Sequence, residues 1–235
     1  MDDALEQGSP GGALPGDRLD DALKRAKGLK LMIFDVDGVM TDGTIWFFPA
    51  PAGASRSTRD HAEKMAGEGG YAIHSETVIE AKGFNAHDGT GFSLARLGGI
   101  KTGLITKRIS ETVALRARDL KMDYAYQGIA DKFTVFQEIL AKEGITAEEV
   151  CYVGDDIIDL PVMRRCGLAI AVPNGREEVT SMAHWVTPHP GGHGAVRDAI
   201  EYILRAQGKL ETVMEEYIAA RSSGAEAAPA KGLVD

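Results

Sequence analysis

The chain has little cysteine, no long apolar run and no cluster of basic residues, and each shortage removes a class of protein. Cys151 and Cys166 are its only two cysteines. Both stand beside apolar residues, so they read as buried thiols and not as a disulfide or a thiolate metal site. The histidines are scattered without the ligand spacing of a zinc site. No apolar stretch approaches the roughly 18–20 residues needed to cross a bilayer, so no membrane partner is expected. Met1 to Gly16 is acidic and rich in Gly and Pro, unlike a signal peptide, and a cytoplasmic location is expected. With a formal charge of −9 and no grouped Lys or Arg, the surface offers nothing to a phosphate backbone, and nucleic acid is not an expected partner.

What is present is enough apolar material for one sizeable core: 44% of 235 residues. Strand-like runs at Leu31–Val36, Ile100–Thr106, Tyr124–Tyr126, Val150–Val153 and Leu168–Ala171 alternate with amphipathic helical segments at Gly91–Leu97, Ser110–Leu120, Lys132–Glu143, Ile158–Arg165 and Glu177–Ala183. That rhythm predicts an α/β fold, a doubly wound parallel sheet of Rossmann-like type covered on both faces. Leu19, Ala22, Leu23 and Ala26 are spaced for a short helix, and a last helix begins near Ala195 and runs through Gln207-Gly208 toward Ala219. The expected organisation is a disordered tail and short helix over 1–28, one catalytic domain over 29–208, and a helix end with a disordered tail over 209–235. The core is expected to start after Gly28.

One region breaks the alternation. Thr44-Ile45-Trp46-Phe47-Phe48 and the run from Thr77 to Phe84 are both strand-like, and the polar stretch between them holds Pro49, Pro51 and many Gly, Ser and Arg. The pair reads as a β-hairpin flap over about 43–86 with an extended tip. A linker to a separate domain is the alternative, but the stretch between Pro49 and Gly70 has too few apolar residues to build a core.

The chemistry begins at Asp35-Val36-Asp37-Gly38, which ends the first apolar run. Strand alternation sends Asp35 and Asp37 to one side of the backbone, facing the crevice beyond the strand's carboxyl end, where such sheets bind ligands. Two carboxylates that close repel, and a divalent cation relieves the repulsion. The pair therefore suggests a Mg²⁺ site holding a phosphoryl group, with one carboxylate free to attack phosphorus. Three further strand ends carry polar residues: Thr106, Lys107 and Arg108 after the second, Lys132 after the third, and Gly154, Asp155, Asp156 and Asp159 after the fourth. Singly, Thr106 reads equally as a helix cap, Lys132 as a solvated helix residue and Asp159 as a cap. Together, grouped acidic charge at converging strand ends is costly without a cation.

D-x-D-G-V, I-T, a Lys and G-D-D-x-x-D in this order resemble the four motifs of the haloacid dehalogenase superfamily of phosphatases. More narrowly, Phe34 to Gly43, Phe84-Asn85-Ala86-His87-Asp88-Gly89-Thr90-Gly91, Tyr126-Gln127-Gly128 with Asp131-Lys132, Tyr152 to Asp156, Asp159 to Met163 and Gly191 to Asp198 resemble the 3-deoxy-D-manno-octulosonate 8-phosphate phosphatases. These are cap-less enzymes of lipopolysaccharide biosynthesis. The resemblance implies a Mg²⁺-dependent phosphomonoesterase acting on a small sugar-acid phosphate, and a homotetramer with the flap at the subunit interface, where neighbouring subunits help close each active site.

It also implies roles. Asp35 resembles the nucleophile that forms an aspartyl-phosphate, and Asp37 the general acid and later base. Asp37 must then hold a proton part of the time, so neighbours favouring its neutral form are expected. Mg²⁺ is implied on Asp35, the backbone carbonyl of Asp37 and Asp155, with Asp156 and Asp159 orienting the metal's waters or Lys132. Thr106 is implied as a donor to phosphate oxygens and Lys132 as the neutralising cation. Substrate contacts are implied for Lys107, Arg108, His87, Asp88, Gly89, His193 and Arg197. Gly89-Thr90-Gly91 reads as a tight turn approaching the phosphate. Lys107 stands where relatives often carry Gly, while His87 and His193 stand where they carry basic residues. Imidazole lacks the bidentate fork that guanidinium offers a carboxylate. A phosphatase of a nine-carbon keto-sugar acid 9-phosphate and a non-catalytic phosphatase-like partner module are the alternatives.

Overall fold

The computed structural model describes residues 16–49, 71–72 and 78–222. The expected flap tip, and the tails expected at both ends of the chain, lie outside the described residues.

At the centre stands β1 (Leu31–Phe34), four consecutive buried apolar residues. Such an unbroken run is what a strand covered on both faces requires. It hydrogen-bonds in parallel with β5 (Lys101–Ile105) on one side and β8 (Val150–Gly154) on the other. The sheet continues outward through β7 (Tyr124–Tyr126) beyond β5, and through β9 (Leu168–Ala171) and β10 (Trp185–Val186) beyond β8, with every pairing parallel. The resulting order is β10-β9-β8-β1-β5-β7. From β1 the chain winds out to β7, then returns to lay β8 on the opposite side of β1. That reversal opens a crevice at the strands' carboxyl ends, with the residues after β1 and β8 as its walls.

Alternation along each strand feeds two cores. Met32 and Phe34 of β1, with Cys151 and Val153 of β8, pack beneath α1 (Gly16–Ala26), α2 (Ala86–Leu97), α3 (Glu111–Asp119), α7 (Ala195–Ala206) and α8 (Leu210–Ser222). Leu31, Ile33, Val150 and Tyr152 pack under α4 (Lys132–Glu143), α5 (Leu160–Met163) and α6 (Glu177–Met182). Both cysteines are buried free thiols. The fold is the α/β parallel sheet expected from the alternating runs, and no described helix is long and apolar enough to cross a membrane.

Four expectations about elements need correction. The core does not begin after Gly28: Ala22 and Ala26 of α1 are completely buried. The last helix is two, because Gly208 in the left-handed region (φ +66°) ends α7. Beyond it α8 buries Leu210 and Val213 in the same core, so 209–222 belong to the compact unit. The helix expected over Ile158–Arg165 is a 3₁₀ turn, Ile157–Asp159, followed by the short α5. Finally, Gly89-Thr90-Gly91 is no turn. Asn85 caps α2 by accepting the amide N–H of His87 at 2.8 Å, which starts the helix five residues earlier than its apolar spacing suggested. Gly91 lies inside it because a Cβ there would come within 3.2 Å of the Arg197 backbone on α7.

The flap forms as an antiparallel pair, β2 (Trp46–Pro49) against β4 (Val78–Ala81). A second small pairing joins β3 (Tyr71–Ala72) to β6 (Arg108–Ile109) in parallel. Trp46, Phe47, Phe48 and Ile79 of the flap are exposed.

Candidate active site

Asp35 leaves the end of β1 and is held against β8 by its amide, which donates to the carbonyl of Val153 at 3.0 Å. Its side chain is buried. On the neighbouring wall, Asp155 follows β8. Carboxylate oxygens of Asp35, Asp155 and Asp159 lie within 4.8 Å of one another. The loop after Asp35 passes so close that a Cβ on Gly38 would stand 2.1 Å from Oδ2 of Asp155, and Gly38 has φ +93°. Only glycine permits that approach and that backbone conformation. Asn174 fastens the loop from outside, donating to the Gly38 carbonyl at 2.8 Å and accepting from the Gly191 amide at 2.7 Å.

The three carboxylates are not equivalent. Asp159 is fully buried and its oxygens are taken: Oδ1 accepts from Lys132 Nζ at 2.7 Å and from the Tyr152 hydroxyl at 2.8 Å, while Oδ2 accepts the amides of Asp155 at 3.0 Å and Asp156 at 3.3 Å. It is an anchor for the loop and for Lys132. Oδ1 of Asp155, by contrast, is buried without a hydrogen-bond partner among the described residues. Burial pushes the Asp155 carboxyl up to about 8, and the charge of Asp35 adds to the rise. Burial likewise lifts Asp35 to about 6, against the opposing pull of Lys132. The orphaned Asp155 oxygen, beside the buried carboxylate of Asp35, belongs to a hard-oxygen donor set that fits a divalent cation.

Lys132 is the first residue of α4, whose N-terminus Asp131 caps by accepting the amides of Phe133 and Thr134. Its ammonium lies 2.7 Å from Asp35 and 2.7 Å from Asp159. Burial alone would discharge it, but the two carboxylates outweigh that and keep it protonated. Thr106 is buried at the end of β5, and its own amide is spent on the Tyr126 carbonyl at 2.9 Å.

The Asp37 carboxylate is not in the acidic group. It turns toward the flap, where Lys82 ion-pairs with its Oδ1 and Arg108 Nε stands 3.7 Å from Oδ2. Its neighbours on the flap side are thus the two cations Lys82 and Arg108.

The remaining candidates divide. Arg108 reaches this wall and donates to Glu80 at 2.8 Å, with Lys107 beside it in the chain. Asp156 is exposed and caps the 3₁₀ turn by accepting the Ile157 amide at 2.7 Å. His87 and His193 are exposed, and the His193 amide donates to Pro190 at 3.1 Å. Asp88 turns inward to cap α7, accepting the Arg197 amide at 2.9 Å. Arg197 gives its guanidinium to Glu201 one turn along that helix. Gly89 faces Arg116. Asp88 and the backbone of Arg197 therefore join α2 to α7, while Gly89 lies against α3.

Four residues at the site were missed in the sequence: Lys82, Glu80, Tyr152 and Asn174. Glu80 and Lys82 alternate along one face at the end of the flap's second strand, and two ionisable residues there were the available signal. Nothing local marked Tyr152 or Asn174.

A sheet that reverses at β1 and β8, with Asp35, Asp155 and Lys132 meeting at the reversal, defines a hydrolase of the haloacid dehalogenase type. The family model for haloacid dehalogenase-like hydrolases matches residues 123–200. The chain is 37% identical to the 3-deoxy-D-manno-octulosonate 8-phosphate phosphatase of Yersinia pestis, over 82% of this chain and 88% of that one. Its identity to the Escherichia coli K12 protein of the same name is 36%, over 81% and 87%. The chain belongs to the 3-deoxy-D-manno-octulosonate 8-phosphate phosphatase family. Among solved structures, the Moraxella catarrhalis phosphatase in complex with magnesium ion, phosphate ion and KDO is similar at TM-score 0.70 and 32% identity, covering 84% of this chain and 98% of that one. The cobalt-bound Haemophilus influenzae enzyme is similar at TM-score 0.64 and 28% identity, covering 80% and 94%.

Proposed function

We propose that this chain is a Mg²⁺-dependent phosphomonoesterase that hydrolyses 3-deoxy-D-manno-octulosonate 8-phosphate to the free sugar acid and phosphate, in lipopolysaccharide biosynthesis. The observation that carries the reading is the convergence of Asp35, Asp155 and Lys132 at the sheet's reversal point. Family membership supports the substrate.

Asp35 is the nucleophile. Its carboxylate forms the new bond to phosphorus, the ester bond breaks, and water later cleaves the aspartyl-phosphate. Lys132 keeps Asp35 ionised and in place, and it neutralises charge on the transferring group with help from the Thr106 hydroxyl. Asp37 gives a proton to the departing sugar oxygen and takes one from the attacking water. Asp35, the Asp37 carbonyl and Asp155 would hold Mg²⁺, and the ion when bound supplies positive charge to the phosphoryl oxygens. Asp159 stays outside the ligand set because its oxygens already accept hydrogen bonds. Arg108 is the cation best supported for the sugar-acid carboxylate, since it is the guanidinium beside Asp37. Lys107 adjoins it, and exposed His87 and His193 line the approach.

The exposed Trp46, Phe48 and Ile79 share one face of the flap pair, with exposed Phe47 on the other, and exposed apolar faces favour association. They support a homotetramer joined through its flaps.

Phosphate release from a panel of sugar phosphates, with Mg²⁺ and with EDTA, tests the reading. Hydrolysis of the octulosonate 8-phosphate, abolished by EDTA, is expected. A folded protein inactive on the whole panel would contradict it.

A further inference from the structure

The flap carries more than an apolar face. Lys82, directly after β4, has a side chain with no solvent exposure. Its ammonium pairs with Asp37 Oδ1 and stands 3.5 Å from Glu80 Oε1. Glu80 Oε2 accepts from Arg108 at 2.8 Å, and Arg108 Nε closes the circuit 3.7 Å from Asp37 Oδ2. Two carboxylates and two cations thus alternate in a shielded ring that joins the flap, the loop after β1 and β6.

Burying an ammonium costs several kcal/mol unless it is paired, and here both pairing partners are supplied. Removing Lys82 would free Oδ1 of Asp37 and leave Glu80 with one partner fewer. Asp37 lies in a loop rather than in a strand, so its side chain takes its rotamer from whatever holds it. The short contact is to Oδ1, whereas the approach of Arg108 Nε to Oδ2, at 3.7 Å, is longer.

We infer that Lys82 is a positioning residue for the phosphatase reaction: it fixes Asp37 through Oδ1 so that Oδ2 presents the proton to the leaving oxygen, with Glu80 as the counter-charge that keeps Lys82 in place. The inference rests on the proposed role of Asp37. As the phosphorus–oxygen bond breaks, its electron pair passes to the leaving oxygen, which takes the proton from Asp37 while Asp35 supplies the pair for the new bond. The flap is then part of the proton-transfer machinery.

The test uses two aryl phosphates, so that it does not depend on the sugar. Phenoxide, with a conjugate acid near pKa ~10, needs a proton on departure; p-nitrophenoxide is far less basic and leaves without one. Steady-state kcat of the full chain with Mg²⁺ is measured for Lys82→Met, Lys82→Arg and Asp37→Asn, with thermal unfolding as a check on folding and Lys82→Gln in reserve if the Met variant does not fold. For Lys82→Met, kcat on phenyl phosphate is expected to fall about 10–100-fold, a partial loss of the roughly 10²–10⁴-fold that a general acid contributes, while kcat on p-nitrophenyl phosphate changes by less than about threefold. Lys82→Arg should recover most of the loss. Equal losses on both substrates, or none on either, would overturn the positioning role. If Asp37→Asn itself shows no dependence on the leaving group, the general-acid reading of Asp37 fails, which is a separate result from a Lys82 variant that leaves an Asp37-dependent preference untouched.

Discussion

Nζ of Lys132 lies 2.7 Å from Asp35 and 2.7 Å from Asp159, so one buried ammonium joins the proposed nucleophile to the residue that anchors the loop after β8. The first turn of α4, the end of β1 and the 3₁₀ turn all meet at this atom. Replacing Lys132 by Met leaves two buried carboxylates without their cation. Unfolding in urea should show a loss of about 3–5 kcal/mol, the usual cost of removing one partner of a buried pair. Turnover at a temperature where the variant is folded should fall by at least about 100-fold. A stable variant with ordinary turnover would mean that Lys132 neither holds nor neutralises Asp35.

Asp155 and Asp159 are expected to part company on substitution. Asp155 has an orphaned oxygen, and burial holds its carboxyl well above the ordinary range; Asp159 has donors on both oxygens. Asp155→Asn should leave the metal-free protein at least as stable as the parent and abolish the rise in melting temperature on adding Mg²⁺. Asp159→Asn should destabilise the metal-free protein by about 2–3 kcal/mol. Differential scanning fluorimetry with and without Mg²⁺ reads both, and a full Mg²⁺ shift in Asp155→Asn would remove it from the ligand set.

Gly38→Ala forces a Cβ to 2.1 Å from Asp155 Oδ2 in a backbone at φ +93°. Left-handed strain alone costs about 1–2 kcal/mol, and the clash pushes Asp155 away from Asp35. Activity should drop more than about tenfold and Mg²⁺ affinity with it, measured by titrating phosphate release against Mg²⁺. Unchanged Mg²⁺ dependence would show that the contact does not set the spacing of the two carboxylates.

Asp88 supplies a pH signature away from the metal site. Burial raises its carboxyl to about 6 from an ordinary 3.8, opposed by the Arg197 amide that it accepts. The folded state therefore binds the proton more tightly than the unfolded chain. Its contribution to stability is complete below about pH 4 and is lost as pH rises through about 6. Asn keeps the acceptor and cannot ionise. Urea denaturation at about pH 4 and about pH 7.5 should show Asp88→Asn gaining about 2 kcal/mol relative to the parent across that interval. A constant difference would mean that Asp88 does not titrate in this range.

Much of this was legible in the sequence because each message was local. The apolar run Leu31–Phe34 and the Asp-Val-Asp-Gly that follows announce a buried strand opening into a loop, and Lys132–Glu143 reads as a helix to the residue. The break of the last helix at Gly208 and the 3₁₀ turn at Ile157–Asp159 are local features; the other misreadings came from contacts between distant segments. Glycines 89 and 91 look like a turn because nothing nearby reveals α7, against which Gly91 must pack. Asp88 gives no local sign that it caps α7 through the Arg197 amide, nor Arg197 that its guanidinium pairs with Glu201 one turn along. Ala22 and Ala26 carry too little apolar surface to announce burial, yet the small size that hides them is what lets α1 approach the core. The Lys82–Asp37 pair links residues 45 apart in sequence, and only the hairpin's return path brings them together.

The most direct test is to trap the acyl-phosphate. The full chain is mixed with Mg²⁺ and an excess of 3-deoxy-D-manno-octulosonate 8-phosphate, quenched in acid and reduced with borohydride, which converts an aspartyl-phosphate to homoserine. Peptide mass spectrometry should find homoserine at position 35, only when Mg²⁺ is present, and none in Lys132→Met at equal reaction time. Steady turnover with an unmodified Asp35, or homoserine at another aspartate, would contradict Asp35 as the group that attacks phosphorus.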